Sequence, residues 1–244
     1  MIRRMSRALI SFVMILAGAV VGVGATAGTA HADECYTWSR TLSTGATGAD
    51  VTQLQVRVAG WVTSGERLSY DGVYGERTAA AVKKFQSAYG LAADGVAGPA
   101  TFSKIYALQD ADCTPAHFTY AELNKCNSDW SGGNVSAATA KQNALRTMWK
   151  LEAMRHALGD VAITVSSGFR SVSCNNAVGG SATSRHLYGD AADLTGSPSF
   201  CTLAKQARVH GFSEILGPGY PGHNDHTHVA FDPSPYWSAP NCGI

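Results

Sequence analysis

The sequence predicts a small all-α bundle of three helices followed by an α+β domain, a small antiparallel sheet with helices. Two observations lead there. A short glycine-punctuated repeat opens successive amphipathic helices in the first half. In the second half, a long helical pattern gives way to β-rich runs separated by Gly/Pro turns.

The repeat is Asp71-Gly72-Val73-Tyr74-Gly75-Glu76-Arg77-Thr78, echoed by Asp94-Gly95-Val96-Ala97-Gly98-Pro99-Ala100-Thr101. Two copies are too few for a solenoid. In each, Asp-Gly makes a turn and the later glycine caps a helix. Pro99 suits the first helical position, where its missing N–H costs nothing. Val82, Phe85, Gln86 and Tyr89 then recur at helical spacing, as do Phe102, Ile105 and Tyr106. Upstream, Val51, Leu54 and Val58 line a third helix. A bundle this small sits near the lower limit for a self-sufficient core.

Beyond a polar, Pro-bearing stretch at 109–116, Ser136 to Leu158 reads as a long helix with Ala144, Met148 and Leu151 on one face and Gly159 as its stop. Val161 to Val165 is a strand pattern, Ser171 to Ser184 a loop, and Asp190 to Thr195 a second strand. Pro198 to Val209 is a helix stopped by Gly211. Phe212 to Leu216 and Asp225 to Phe231 complete the sheet.

The chain of 244 residues is 45% hydrophobic and 15% charged, which excludes general disorder. Its formal charge of +1 gives no electrostatic footprint for nucleic acid. Arg3, Arg4 and Arg7, an apolar run from Ala8 to Val23 and the small-x-small site Ala30-His31-Ala32 read as a secretory signal peptide over residues 1–32. A cleaved signal leaves no stable membrane anchor. It also leaves 16 basic and 18 acidic residues, a net −2. Six cysteines in an exported chain imply three disulfides, with fifteen possible pairings. No C-x-x-C pair supplies a thiolate zinc site. The expected product is secreted and monomeric.

The chemistry is carried by late histidines. His186 and Asp193 stand seven apart, and Asp225-His226-Thr227-His228 follows. On a strand, His226 and His228 share a face. Imidazole and carboxylate are ordinary zinc ligands, and a catalytic zinc keeps three protein ligands and an open position. His186, Asp193 and one of the two late histidines would complete that set.

Two resemblances add to this reading. Val51-Thr52-Gln53-Leu54-Gln55, the two Asp-Gly-Val-x-Gly-x-x-Thr turns, Ala81 to Gln86 and Gly90-Leu91 resemble the peptidoglycan-binding module of cell-wall hydrolases over 42–108. Ser184-x-His186-x-x-Gly189-x-Ala191-x-Asp193 with downstream His-x-His is similar to the zinc D-alanyl-D-alanine carboxypeptidases, relatives of the hedgehog fold, over about 117–244. Ser167-Gly168-Phe169-Arg170-Ser171 matches that family's Ser-Gly-Tyr-Arg-Ser segment, with Phe169 for tyrosine. The division is then a signal peptide at 1–32, a peptidoglycan-binding module at 33–112, a linker at 113–116 and a peptidase domain at 117–244.

By position, the resemblance implies one zinc ion per chain held by His186, Asp193 and His228, with Arg170 near the scissile carbonyl. A fixed cation there would meet the charge that develops in the transition state. Asp225 is the expected general base and His226 the transition-state stabiliser, although a regular strand would turn Asp225 away from His228. Ser184 is expected to bind substrate or brace His186. His223 reads as a loop residue and His210 as a cation at a helix C-terminus. The resemblance also implies the pairs Cys35–Cys113, Cys126–Cys174 and Cys201–Cys242. The implied activity is hydrolysis of the D-Ala–D-Ala bond of peptidoglycan stem peptides, as a carboxypeptidase and also on cross-links. An L-Ala–D-Glu endopeptidase and a non-catalytic wall-binding protein are the alternatives.

Overall fold

The computed structural model describes residues 35–126 and 129–244; the predicted signal peptide lies outside them. The first part holds helices α1 (Ala49–Arg57), α2 (Glu76–Ala88) and α3 (Pro99–Ala107). Gly75 and Gly98 are the N-caps of α2 and α3, and Pro99 takes the first turn of α3. Leu42, Leu54, Tyr74, Phe85 and Ile105 are buried in one cluster.

Each Asp-Gly turn is tied to the helix before it by one buried glutamine. Gln55 Nε2 donates to Asp71 Oδ1 (2.8 Å), the Val73 carbonyl (3.1 Å) and Thr78 Oγ1 (3.2 Å), and its Oε1 accepts from Gly72 N (3.0 Å). Gln86 repeats the pattern with Asp94 Oδ1 (2.9 Å), the Val96 carbonyl (3.0 Å), Thr101 Oγ1 (3.1 Å) and Gly95 N (2.9 Å). Both amides therefore use donor and acceptor in full, as burial requires.

The second part begins with α4 (Tyr120–Leu123), started by a Thr119/Glu122 capping box, and α5 (Ala137–Ala157), capped by Ser136 Oγ accepting from Thr139 N. Five strands follow: β1 (Thr164–Ser167), β2 (Ala191–Thr195), β3 (Glu214–Leu216), β4 (Thr227–Ala230) and β5 (Tyr236–Ser238), in the order β1-β2-β4-β3-β5. Two more helices, α6 (Val172–Ala177) and α7 (Phe200–Val209), complete the domain; α7 packs on β4 and β3.

The sheet is mixed where an antiparallel one was expected. β5 joins the edge parallel to β3, a three-residue strand behind Pro233 and Pro235 that carries no alternation long enough to read. The expected loop at 171–184 contains α6, because Ser171 Oγ accepts from Cys174 N and caps it. The disulfides join Cys35 to Cys113, Cys126 to Cys174 and Cys201 to Cys242, the pairs the resemblance implies.

The largest departure is α5. The sequence shows one apolar face, yet every residue from Thr147 to Arg155 is buried. A helix buried all round lies between two cores. Met148, Leu151 and Met154 pack into the α+β core, whereas Trp149 and Ala153 belong to the cluster of the first part. The approach is close: a Cβ on Gly60 would sit 2.5 Å from Ala153 Cβ and 3.0 Å from the Lys150 backbone. Trp149 Nε1 also donates to the Cys113 carbonyl in the linker (3.3 Å). His210 corrects the expectation of a surface cation. It is 6% exposed, donates Nδ1–H to the Gly60 carbonyl (2.8 Å), and burial pushes its pKa down, so it is neutral.

Candidate metal centre

The sheet register builds the site. Asp193 on β2 lies directly across from His228 on β4. Cross-strand partners hold their Cβ atoms about 5 Å apart, so carboxylate and imidazole meet without help from a loop. His186 comes from a 3-10 turn, Arg185–Tyr188, that ends at Gly189 with φ +77°. A side chain at Gly189 would run into the Ala140 carbonyl on α5, so glycine there is both a turn and a close approach.

His186, Asp193 and His228 are all buried, and one ligating atom from each lies within 4.8 Å of the others. Asp193 Oδ1 is 3.1 Å from His186 Nε2 and 2.9 Å from His228 Nδ1. The far side of each group fixes its protonation. His186 Nδ1 faces the Gly168 carbonyl at 2.5 Å, and a carbonyl only accepts, so Nδ1 carries the proton. His228 Nε2 faces Glu214 Oε1 at 3.0 Å and must donate in the same way. In their neutral forms both rings would therefore turn a lone pair toward the same carboxylate oxygen. Three acceptors converging in a buried place need a cation or an added proton between them.

The electrostatics agree. Burial pushes the Asp193 carboxyl up, but His186 and His228 outweigh it and hold it far below the usual carboxylate range. Burial works against a charged His228, yet Asp193 and Glu214 raise it to about 9. Burial lowers His186. The site is thus built for positive charge. Two imidazoles and one carboxylate, each oriented by an outer partner, fit a zinc ion with an open position.

Arg170 supplies the outer partner for Asp193. Its Nη2 donates to Asp193 Oδ2 (2.7 Å), and Nε and Nη2 donate to Ser167 Oγ (3.0 and 2.8 Å). Nη1 makes no hydrogen bond among the described residues. Asp225 and His226 precede β4, so strand alternation does not govern them. The Asp225 side chain is 88% exposed, and its Oδ1 accepts from His226 Nδ1 (2.8 Å). His226 Nε2 stands 3.7 Å from Asp193 Oδ1. The histidine is therefore the nearer of the two to the ligand set, with the aspartate behind it.

A cleft of about 830 Å³ opens over these groups, and Ser184, Tyr220, His223, His226 and Tyr236 line it. His223, expected as a loop residue, lies against His226 with the rings tilted and their centroids 4.7 Å apart, and burial lowers its pKa. Glu214 was missed by sequence reasoning. Its signal was a lone carboxylate in the apolar run Phe212 to Leu216, two strand positions from the residue that pairs with His228.

Comparison with known proteins agrees with this geometry. The family profile Peptidase M15 matches residues 116–230, and the profile of a putative peptidoglycan binding domain matches 47–105. The zinc D-Ala-D-Ala carboxypeptidase of Streptomyces albus G is 65% identical over 233 residues, 95% of this chain and 91% of that protein. Among solved structures, a peptidoglycan-binding protein from Clostridioides difficile is 34% identical over 27% of this chain and 39% of its own, with a TM-score of 0.24. A Burkholderia AP3 phage endolysin is 36% identical over 44% of this chain and 36% of its own, with a TM-score of 0.25. With a relative that close along nearly its whole length and a buried His-Asp-His cluster behind an open cleft, the chain belongs to the zinc D-Ala-D-Ala carboxypeptidase family of M15 peptidases.

Proposed function

We propose that His186 Nε2, Asp193 Oδ1 and His228 Nδ1 hold zinc, and that the chain hydrolyses the D-Ala–D-Ala bond of peptidoglycan stem peptides. The observation that carries this is the convergence of three acceptor atoms, each turned inward by a partner that takes its other side. When bound, zinc supplies a Lewis acid for the peptide carbonyl and acidifies the attacking water.

The chain's own residues do the rest. Arg170 fixes Asp193 through Oδ2 and leaves Nη1 for the substrate's carbonyl or carboxylate oxygen. Ser184 offers a hydroxyl at the rim of the cleft. His226 carries the proton from water to the leaving amine, with Nε2 toward the cleft. Asp225 acts through it, since a carboxylate on Nδ1 keeps the proton there and Nε2 free. This reverses the expected order of the pair: the aspartate orients and the histidine transfers.

The module at 33–112 would hold the wall while the domain at 117–244 cuts, joined through 113–116. The disulfides fit an oxidising compartment, and no described helix is long and apolar enough to cross a membrane. Secretion after cleavage behind Ala32, with the mature chain monomeric, completes the reading. The decisive experiment is digestion of a stem pentapeptide by zinc-loaded protein, followed by mass spectrometry. Loss of one alanine supports the proposal. Cleavage between L-Ala and D-Glu, or no cleavage at full zinc occupancy, overturns it.

A further inference from the structure

A second cavity, of about 730 Å³, lies between the peptidoglycan-binding module and the α+β domain and shares no lining residue with the zinc cleft. The module contributes Arg67, Tyr70 and Arg77; the domain contributes Arg146 and Lys150 from α5, together with Arg185. Five cations thus line one hollow against two carboxylates, Glu66 and Asp190. Asp190 is already taken, because Arg185 Nε and Nη2 both donate to it. Arg67 donates to the Asp232 and Pro233 carbonyls, which carry no formal charge.

Asp190 acts on Lys150 only through space, and neither Lys150 nor Arg146 forms an ion pair among the described residues. Lys150 is only 6% exposed, and its ammonium makes no hydrogen bond or ion pair among the described residues. It lies over the rings of Phe212 (5.2 Å) and Phe231 (5.9 Å), and burial lowers its pKa to about 8. Arg146 stacks on Tyr70 at 4.5 Å, yet its Nε is buried without a partner, and so is the Tyr70 hydroxyl. Two buried donors, Arg146 Nε and the Tyr70 hydroxyl, are thus left open beside the Lys150 ammonium, and a buried donor without an acceptor is destabilising.

We propose that this cavity is a second substrate-binding site, taking a free carboxylate of the peptidoglycan stem peptide on Lys150, Arg146 and Tyr70. It rests on the reading that peptidoglycan is the substrate. A stem peptide is acidic, so an ammonium, a guanidinium N–H and a phenol in a partly apolar hollow match its carboxylate. Because both parts of the chain line the hollow, an occupant there touches the wall-binding module and the peptidase domain together. Phe231 follows β4 directly and Arg185 precedes His186, so the two sites are back to back on the same elements.

The test uses the full mature chain and a soluble muramyl tripeptide that lacks D-alanine, so that the scissile residues are absent. Calorimetric titration compares wild type with Lys150→Met and Arg146→Gln. The expected result is one-to-one binding by wild type, weakened about tenfold or more in each variant. Release of D-alanine from a short acylated D-Ala-D-Ala peptide should be unchanged in both. Arg146→Gln carries the test if Lys150→Met does not fold. Equal binding by all three proteins overturns the proposal, and so does equal affinity for a glycerol phosphate oligomer. A wild type that binds the tripeptide through Lys150 but releases no D-alanine would leave this site standing while the proposed activity falls.

Discussion

The molecule holds two kinds of buried polar cluster, and they differ in how their hydrogen bonds close. In the module, the neutral amides of Gln55 and Gln86 each meet three acceptors, one of them an aspartate carboxylate, and one backbone N–H donor. At the metal centre, His186, Asp193 and His228 turn acceptors on one another. The first arrangement is complete and therefore structural. The second is complete only with an added positive charge and is therefore chemical. A polar network that closes on itself fixes a turn, whereas one that fails to close marks a ligand.

That contrast can be broken by mutation, from the largest effect down. His186→Ala should take zinc from one per chain to none and abolish release of D-alanine, as measured by metal analysis and by assay of the freed amino acid. His226→Ala should keep zinc but lower turnover by about 10²–10⁴-fold. Asp225→Asn should cost less, since it removes only the partner on Nδ1. If Asp225→Asn loses more than His226→Ala, the aspartate is the proton carrier after all. Glu214→Gln should weaken zinc binding by about 10–100-fold, read by competition with a chelator. It would leave Nδ1 of His228 in place while removing the charge behind it.

The smallest effect belongs to the module. Gln86→Ala leaves Asp94, Thr101 and the Gly95 N–H without their partner. It should cost about 1–3 kcal/mol of stability in a denaturant titration. Hydrolysis of a short soluble D-Ala-D-Ala peptide should stay at the wild-type rate. A matching loss of zinc in this variant would erase the distinction between the two clusters.

The sequence carried much of this, unevenly. Helices α2, α3, α5 and α7 were legible because glycine, proline and serine punctuate them at their starts or stops, and α1 because Val51, Leu54 and Val58 recur at helical spacing. Spacing on a turn and a strand offered His186, Asp193 and a choice between His226 and His228, and only the resemblance singled out His228. Glu214 was not legible, because its meaning arises only when β3 and β4 pair. The roles of Asp225 and His226 were not legible from strand alternation, because both residues precede β4. The double burial of α5 was hidden for a related reason: spacing showed the face of Ala144, Met148 and Leu151, whereas Lys150, Glu152 and Arg155 interrupt the second buried face.

That shared helix makes the two parts one thermodynamic object. Trp149, 2% exposed, and Ala153 are core residues of a unit to which they do not belong in sequence. Cutting the chain in the linker would strip an indole and most of one helix face bare on the peptidase side and leave a void in the module. A calorimetric scan of the mature chain should accordingly show a single endotherm rather than two. Exchanging this module for that of another wall hydrolase would succeed only if the newcomer brought its own socket for Trp149. Modularity in the sequence is here not modularity in folding, and the wall anchor doubles as a chaperoning surface for the long helix of the enzyme it carries.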